Sequence, residues 1–367
     1  MTVTAALIVR DEEPFIGDCL ASLAGHVDQI VLVDTGSKDR TIEIARGFPV
    51  DLQQFPWTGD FSAARNRALD FARGEWILYI DADERLVVPA GESLPQLLSN
   101  GSKVAWKLRL YPRLGWTAYS ELRLFRNDLR IRFEGVIHET MYPGVAAVAE
   151  ADGLDVGTCQ LALRHVGYEG DQRTKNPRNI PLLRARLARD PDSFFSWWHL
   201  GDCLRLAGDE DGAAATWSEG LARLRVNVPQ PAPLSLGLLH VALLNLRRSR
   251  GEPLDDLLAE ALAMFPDNLA LQFLQARVAV DRGELTSARP ILDRLVAIDA
   301  DTFFEPELAY DRGLFGHLSA ELLALCHFRE GRFADAARLY RRAAQTSPSP
   351  ENCEIKARLA EARARSR

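Results

Sequence analysis

The sequence predicts two parts: an α/β domain on a doubly wound, mainly parallel sheet, followed by an all-α domain of helical repeats. Three observations carry this. Up to about residue 165, short apolar runs alternate with segments of helical spacing. Within that stretch, from Val104 to Leu163, the pattern turns to residue-by-residue alternation, as in "VAWKLRLY", which predicts added antiparallel strands that finish the domain. Beyond Pro191 the strand-like runs stop, and small and aromatic residues recur at the spacing of helix pairs. A chain of 367 residues is long enough for two cores.

The elements follow in order. "VTAALIV" (3 to 9), "QIVLVD" (29 to 34), "VDLQQF" (50 to 55) and "EWILYID" (75 to 81) are apolar runs of the kind buried in a parallel sheet. Glu13 to Ala24, Arg40 to Phe48 and Phe61 to Arg73 lie between them with helical spacing and polar faces. In the second half, Trp197, Leu200, Gly201, Ala213, Trp217 and Gly220 sit at the spacing of a tetratricopeptide helix pair. Ala261 with Pro266, Ala288, and Ala336 with Tyr340, Ala343 and Pro348 mark weaker later units, and together they predict a short solenoid. An irregular helical bundle is the plainer alternative. The expected divisions are a first domain over 1–168, a charged linker over 169–190 and the repeats over 191–367.

Composition bounds the function. Apolar residues at 47% and charged residues at 26% describe a soluble globular chain. A net charge of -7 argues against a general nucleic-acid binder, which needs an excess of Lys and Arg for phosphates. The five cysteines are dispersed with no C-x-x-C pair, so neither a zinc site nor a disulfide framework is expected, and a cytoplasmic location is. The first residues read as a strand rather than a signal peptide, and no apolar stretch reaches the ~18 residues of a membrane span.

Chemistry is expected where acidic groups end the strands, because open α/β sheets bind ligands beyond their carboxyl edge. "IVLVDTGSKDRT" ends in Asp34, followed by a turn at Gly36 and Ser37 that lets a ligand approach the backbone. "ILYIDADE" ends in Asp81, Asp83 and Glu84. If the two strands are neighbours, these carboxylates converge on one crevice. Asp34 is placed to accept bonds from a ribose or base, and a D-x-D pair suits Mg2+ or Mn2+, which take one or two carboxylates and share the rest with water and phosphates. Arg65 starts the helix that leads into the D-x-D strand, where a guanidinium serves a pyrophosphate or pairs with Asp81. Taken alone, the D-x-D also fits a solvated acidic turn and Arg65 a surface arginine.

These pieces in this order resemble the family 2 glycosyltransferases of the GT-A (Rossmann-like) fold, in the branch with C-terminal tetratricopeptide-like repeats. The blocks are "LIVRDEEPFIGDCLASLAGHVDQIVLVDTGSKDRTIEIA", "FPWTGDFSAARNRAL", "GEWILYIDADERL" and "RLFRNDLRIRFEGVIHE", and the resemblance covers roughly residues 1 to 220. That branch includes enzymes similar to the sublancin-type peptide glycosyltransferases and others that build surface saccharides. The resemblance implies an inverting transfer from a nucleoside-diphosphate sugar, usually a UDP-sugar, with Mn2+ or Mg2+. It places Asp34 on the nucleoside, Asp81 and Asp83 in the D-x-D with Asp83 the direct metal ligand, and His165 of "ALRHVGY" as a further ligand. Asp11 stands where many relatives have Asn; it keeps an acceptor but loses a donor group for the base.

The general base implied by the resemblance is an acid after the donor-binding strands, and Glu139 in "GVIHET" is chosen over Glu84 and Glu134. His138 beside it is assigned to positioning it or holding substrate. Trp57, Asp60 and Phe61 are expected to shape the donor pocket. The repeats offer a groove for a peptide or protein acceptor and a surface for homodimerisation. A lipid-linked or surface saccharide is the alternative acceptor. A nucleotidyltransferase is disfavoured because "VRDEEPF" after the first strand lacks the Gly-rich basic loop of that chemistry. A non-catalytic scaffold is disfavoured by the intact Asp34, Asp81, Asp83 and His165.

Overall fold

The computed structural model describes residues 1–167 and 176–366. The chain divides into two compact units, residues 1–114 with 119–213, and residues 115–118 with 214–367. The expected linker overlaps the first of these: its residues 169–175 lie outside the described residues, and Asn176–Arg189 forms a helix.

Among the described residues, eight strands build the sheet of the first unit: β1 Val3–Val9, β2 Gln29–Asp34, β3 Asp51–Gln54, β4 Trp76–Tyr79, β5 Glu84–Val87, β6 Lys103–Tyr111, β7 Tyr119–Arg126 and β8 Asp155–His165. Their spatial order is β3-β2-β1-β4-β7-β6-β8-β5. Strands β1 to β4 are mutually parallel where they pair. Apolar residues on both faces explain this: Val3, Ala5, Leu7 and Val9 of β1 face one layer of core, and Ala6 faces the other.

Helix α1 (Ile16–Leu23) covers the first face with Ile16, Cys19, Leu20 and Leu23, an i, i+3, i+4, i+7 stripe. The short helices α2 (Thr41–Ala45) and α4 (Leu94–Leu98) place Ala45, Leu94 and Leu98 in the same layer. On the other face lie α3 (Phe61–Asp70), through Ala68 and Leu69, and α5 (Tyr142–Asp152), through Val145 and Val148. Asp60 caps α3, accepting a bond from the Ala63 amide at 3.2 Å, so its carboxylate serves the helix start.

Two expectations need correction. The added strands are not all antiparallel: β7 pairs antiparallel with β4 and β6, but β8 runs parallel to β6. The intervening α5 supplies the crossover that a parallel pair requires. The strands ending in Asp34 and in the D-x-D are not neighbours either, because β1 lies between β2 and β4. The chain winds outward from β1 to β3 and then returns to β4 on the other side of β1, so the switch point falls between β1 and β4.

Helices α6 (Asn176–Arg189) and α7 (Phe194–Leu206) close the first unit. The second is helical: α8 (Glu210–Val226, shared at Ala213), α9 (Leu238–Ser249), α10 (Asp255–Met264), α11 (Leu269–Arg282), α12 (Leu285–Ala297), α13 (His317–Arg329), α14 (Phe333–Ala344) and α15 (Pro350–Arg365). The small residues that mark the repeats are buried there: Ala261, Ala288, Ala336 and Ala343 are all 0% exposed, allowing close helix contact. No helix among the described residues is long and apolar enough to cross a membrane.

Candidate active site

A pocket of about 710 Å3 opens in the first unit. The carboxyl end of β1 contributes Ile8 and Val9, and Tyr79 and Asp81 come from β4 and the turn after it. Trp57 from the loop before α3, and Phe61 and Arg65 from α3 itself, line it as well. Glu121 and Arg123 come from β7, and His138 and Glu139 from the loop before α5. It therefore lies at the carboxyl edge where the strand order reverses, as the sheet topology requires.

Arg65 is the centre of its charge network. Its Nη2 donates to Asp81 Oδ1 at 2.8 Å, and its Nε donates to Glu139 Oε1. The α3 helix turns this side chain inward, and Asn66 fixes the register by exchanging two bonds with the Phe133 backbone at 2.9 and 2.8 Å. Burial works against the guanidinium charge, but the Asp81 and Glu139 carboxylates outweigh it and hold Arg65 well above its usual pKa. Reciprocally, Asp81 is lowered to about 2: burial would raise it, and Arg65 and Arg123 prevail.

Arg123 forms the second half. It grips Glu84 bidentately at 3.1 and 2.9 Å, and approaches Asp81 Oδ2 at 3.8 Å. Its guanidinium lies 4.3 Å from the Tyr79 ring centre, and that of Arg65 lies 5.1 Å from the same ring. Glu84 also accepts the Asp81 amide at 2.9 Å and is 1% exposed. Burial pushes it up to about 7, with Arg123 opposing and Asp81 adding to the rise. Glu84 is thus a structural support of the D-x-D turn.

Asp83 and His165 are not among the residues that line this pocket, and Asp83 pairs with His165 beside it. Strand β5 pairs antiparallel with β8 in the register Glu84 to His165, and the Val166 amide donates to the Asp83 carbonyl at 2.8 Å. This brings Asp83 Oδ2 to 3.2 Å from His165 Nε2. Burial lowers the His165 pKa, yet the Asp83 carboxylate, with Glu84 and Asp81 behind it, gives a net rise.

A carboxylate and an imidazole this close fit a divalent cation, which would take the place of the imidazolium proton. Gly167 supports the fit: a Cβ there would collide with the Asp83 carboxyl group, 2.8 Å from its Cγ, so glycine leaves that side chain its place. Asp81 is turned to the arginines instead, and no three His, Cys, Asp or Glu side chains converge among the described residues. A cation held by Asp83 and His165 would have two protein ligands and would need water or phosphate oxygens for the rest.

The other expected residues divide. Asp34 is 5% exposed and folds back on its own turn, accepting from the Gly36 amide at 3.2 Å and the Ser37 amide at 3.0 Å. Gly36 takes φ +109, which only glycine adopts readily. Asp11 Oδ1 accepts from the Lys38 amide at 2.6 Å, while its own amide donates to Ser37 Oγ at 3.0 Å. These bonds stitch the β1 and β2 turns together. Trp57 packs edge-on to Phe61 at 4.7 Å on the pocket wall. Of the three candidate bases, only Glu139 lines the pocket; Glu134 closes a backbone bridge with Thr140 and points to solvent.

Sequence reading missed Arg123, Glu121, Tyr79 and the residues Arg186, Ser193 and His199 of the later wall. The signal for Arg123 was present as a charge between two buried leucines, Leu122 and Leu124, in a strand covered on both faces. Glu121, two residues earlier in the strand, is a further acid in the pocket, and burial raises its pKa. Periodicity marked α7 through Trp197, Leu200 and Gly201 as a helix of a repeat pair, but it did not place α6 or α7 at the pocket.

Comparison with known proteins agrees with this architecture. Residues 4–146 match the glycosyl transferase family 2 model, and residues 256–309 and 308–350 match tetratricopeptide repeat models. The chain is 37% identical over 253 residues to a TPR repeat-containing protein of Synechococcus elongatus, covering 67% of this chain and 62% of that one. It is 29% identical to the SPbeta prophage-derived glycosyltransferase SunS of Bacillus subtilis, over 52% of this chain and 46% of the relative. It is 32% identical to the lipopolysaccharide core biosynthesis glycosyltransferase LpsC of Rhizobium meliloti, over 39% and 58%. The matched region thus spans less than two thirds of each relative. The N-terminal domain belongs to glycosyltransferase family 2, and tetratricopeptide repeats follow it in the same chain.

Proposed function

We propose that the protein is an inverting glycosyltransferase that moves a sugar from a nucleoside-diphosphate sugar, a UDP-sugar by resemblance, to a peptide or protein acceptor. The observation that carries this reading is the Arg65–Asp81–Arg123 network at the sheet's switch point, next to the Asp83–His165 pair. Two guanidinium groups beside a cation-compatible pair suit a diphosphate leaving group better than they suit a neutral ligand. Asp83 and His165 would hold Mn2+ or Mg2+, which when bound neutralises charge on the diphosphate. The imidazole favours Mn2+, since Mg2+ prefers an all-oxygen shell.

In this reading Arg65 faces the developing diphosphate charge, and Arg123 holds the D-x-D turn in place through Glu84. Glu139 takes the proton of the acceptor nucleophile as the new bond to the sugar's anomeric carbon forms and the bond to the diphosphate breaks. Asp34, Asp11 and Ser37 shape the turns that meet the nucleoside, and Trp57 offers a ring to it. The peptide acceptor is supported by the repeats, whose stacked helices suit extended chains. A cytoplasmic location accords with the nucleotide-sugar donor.

A screen of donor hydrolysis over UDP-glucose, UDP-galactose, UDP-N-acetylglucosamine and their GDP counterparts, each with Mn2+, tests the reading. Turnover or metal-dependent binding of at least one is expected. Failure with every donor would reject it.

A further inference from the structure

The loop that carries Glu139 is held in a conformation its own sequence does not favour. His138 has φ +51, a left-handed backbone that a non-glycine residue keeps only when its surroundings impose it. The surroundings are α6 and α7. From α6, Arg186 Nη1 donates to the Ile137 carbonyl at 2.7 Å and to the His138 carbonyl at 3.2 Å, while its Nε donates to Ser193 Oγ at 3.1 Å. Gly135, with φ +98, makes room for this guanidinium: a Cβ there would lie 2.7 Å from Nη1.

From α7, His199 Nδ1 lies 2.6 Å from His138 Nε2, and the two rings stack with a 12° interplanar angle. Ser196 Oγ reaches the other His138 nitrogen at 3.4 Å, and Ser193 Oγ joins Ser196 Oγ at 2.8 Å. The peptide groups on either side of His138 and both nitrogens of its ring are therefore engaged by α6, α7 and the turn between them. On the far side, Glu139 itself is tied to Arg65. Its carboxylate is set from two directions, by its own ion pair and by the clamp on the preceding residue.

We propose that Arg186 and His199 are positioning residues that fix Glu139 at the pocket through His138, so that α6 and α7 are parts of the catalytic apparatus. This rests on Glu139 being the base. A carboxylate displaced by an ångström loses much of its effect on a proton transfer, a loss of about 10²-fold in favourable cases.

The test uses the full chain with Arg186→Met, His199→Leu, the conservative His199→Asn, Glu139→Gln and the double variant Arg186→Met with Glu139→Gln. Amide hydrogen exchange is followed over residues 135–141, and hydrolysis of the UDP-sugar best turned over in the donor screen is measured with Mn2+. Arg186→Met and His199→Leu are expected to raise exchange in that segment, leaving the strands β1 and β4 protected. They should lower kcat by about 10- to 100-fold with the donor KM held within about twofold. His199→Asn, which keeps a side-chain bond to His138, should recover most of the loss. The double variant should be no slower than Glu139→Gln alone, because both changes act through one group. Unchanged exchange in the segment would overturn the clamp, and additive losses in the double variant would overturn its action through Glu139. If no donor is turned over, the functional reading fails, and the exchange measurement still decides the clamp.

Discussion

Arg65 and Glu139, 74 residues apart, are joined Nε to Oε1, and the same guanidinium bonds Asp81 through Nη2 at 2.8 Å. The acid assigned to the acceptor side and the first acid of the D-x-D thus share one cation. With the Arg65 side chain 10% exposed and that of Glu139 11% exposed, the pair sits where solvent screens little. Replacing Arg65 by Met leaves two carboxylates facing each other across a partly dry site. The expected result is a loss of about 3–5 kcal/mol in urea unfolding, the range for breaking one partner from a buried pair. Arg65→Lys keeps the charge but not the fork, and should recover only part of it.

Among the described residues four acids line the pocket, Glu12, Asp81, Glu121 and Glu139, and Glu139 and Glu121 are the two to compare as the base. Glu139→Gln is expected to reduce transfer or donor hydrolysis by about 10²-fold or more while leaving UDP binding in place. Glu121→Gln should cost much less. Steady-state kinetics on both variants decide between them, and the reverse ranking would move the base to Glu121.

Burial raises Glu84 to about 7 from an ordinary value of 4.5. In the folded chain it takes up a proton as pH falls through about 7, whereas the unfolded chain waits until about 4.5. Folding is therefore favoured by protonation over that window: Glu84 adds stability as pH drops from 7 towards 4.5 and removes it as pH rises. Glu84→Gln should flatten the slope of Tm against pH between these values. A slope unchanged by the substitution would mean that Glu84 titrates normally.

Gly167→Ala puts a methyl group against the Asp83 carboxyl group. Displacing a ligand's orientation without removing it is expected to weaken Mn2+ binding by about 10- to 100-fold. Titration of Mn2+ in the presence of UDP checks this. Equal affinity in the variant would mean that Asp83 moves aside without consequence.

Much of the site was legible because its residues carry costs that a sequence exposes. Asp81, Asp83 and Glu84 crowd negative charge at a strand end, and such crowding needs cations nearby. The structure supplies them as Arg65 and Arg123, with the Arg65–Asp81 pair among the sequence expectations. His165 was placed beside Asp83 by resemblance, and the β5–β8 register is the physical reason that it lies there.

What periodicity could not convey was partnership. Alternation in β6 to β8 encodes which side chains are buried, which is the same whether a neighbour runs parallel or antiparallel, so the parallel β6–β8 pair went unread. Arg186 fell in the expected linker and His199 in an expected repeat helix, and the left-handed His138 that they hold gave no sign of a shared role. The central position of β1 between the two acid-bearing strands likewise depends on a crossover that no single segment reveals.

In the proposed function Asp83 and His165 carry a cation that brings a nucleoside diphosphate to Arg65. Calorimetric titration of UDP into the protein, with and without Mn2+, measures this most directly, with Asp83→Ala as the control. Metal-dependent binding of UDP that Asp83→Ala abolishes is expected. UDP binding of equal strength without metal, or unchanged in Asp83→Ala, would contradict it.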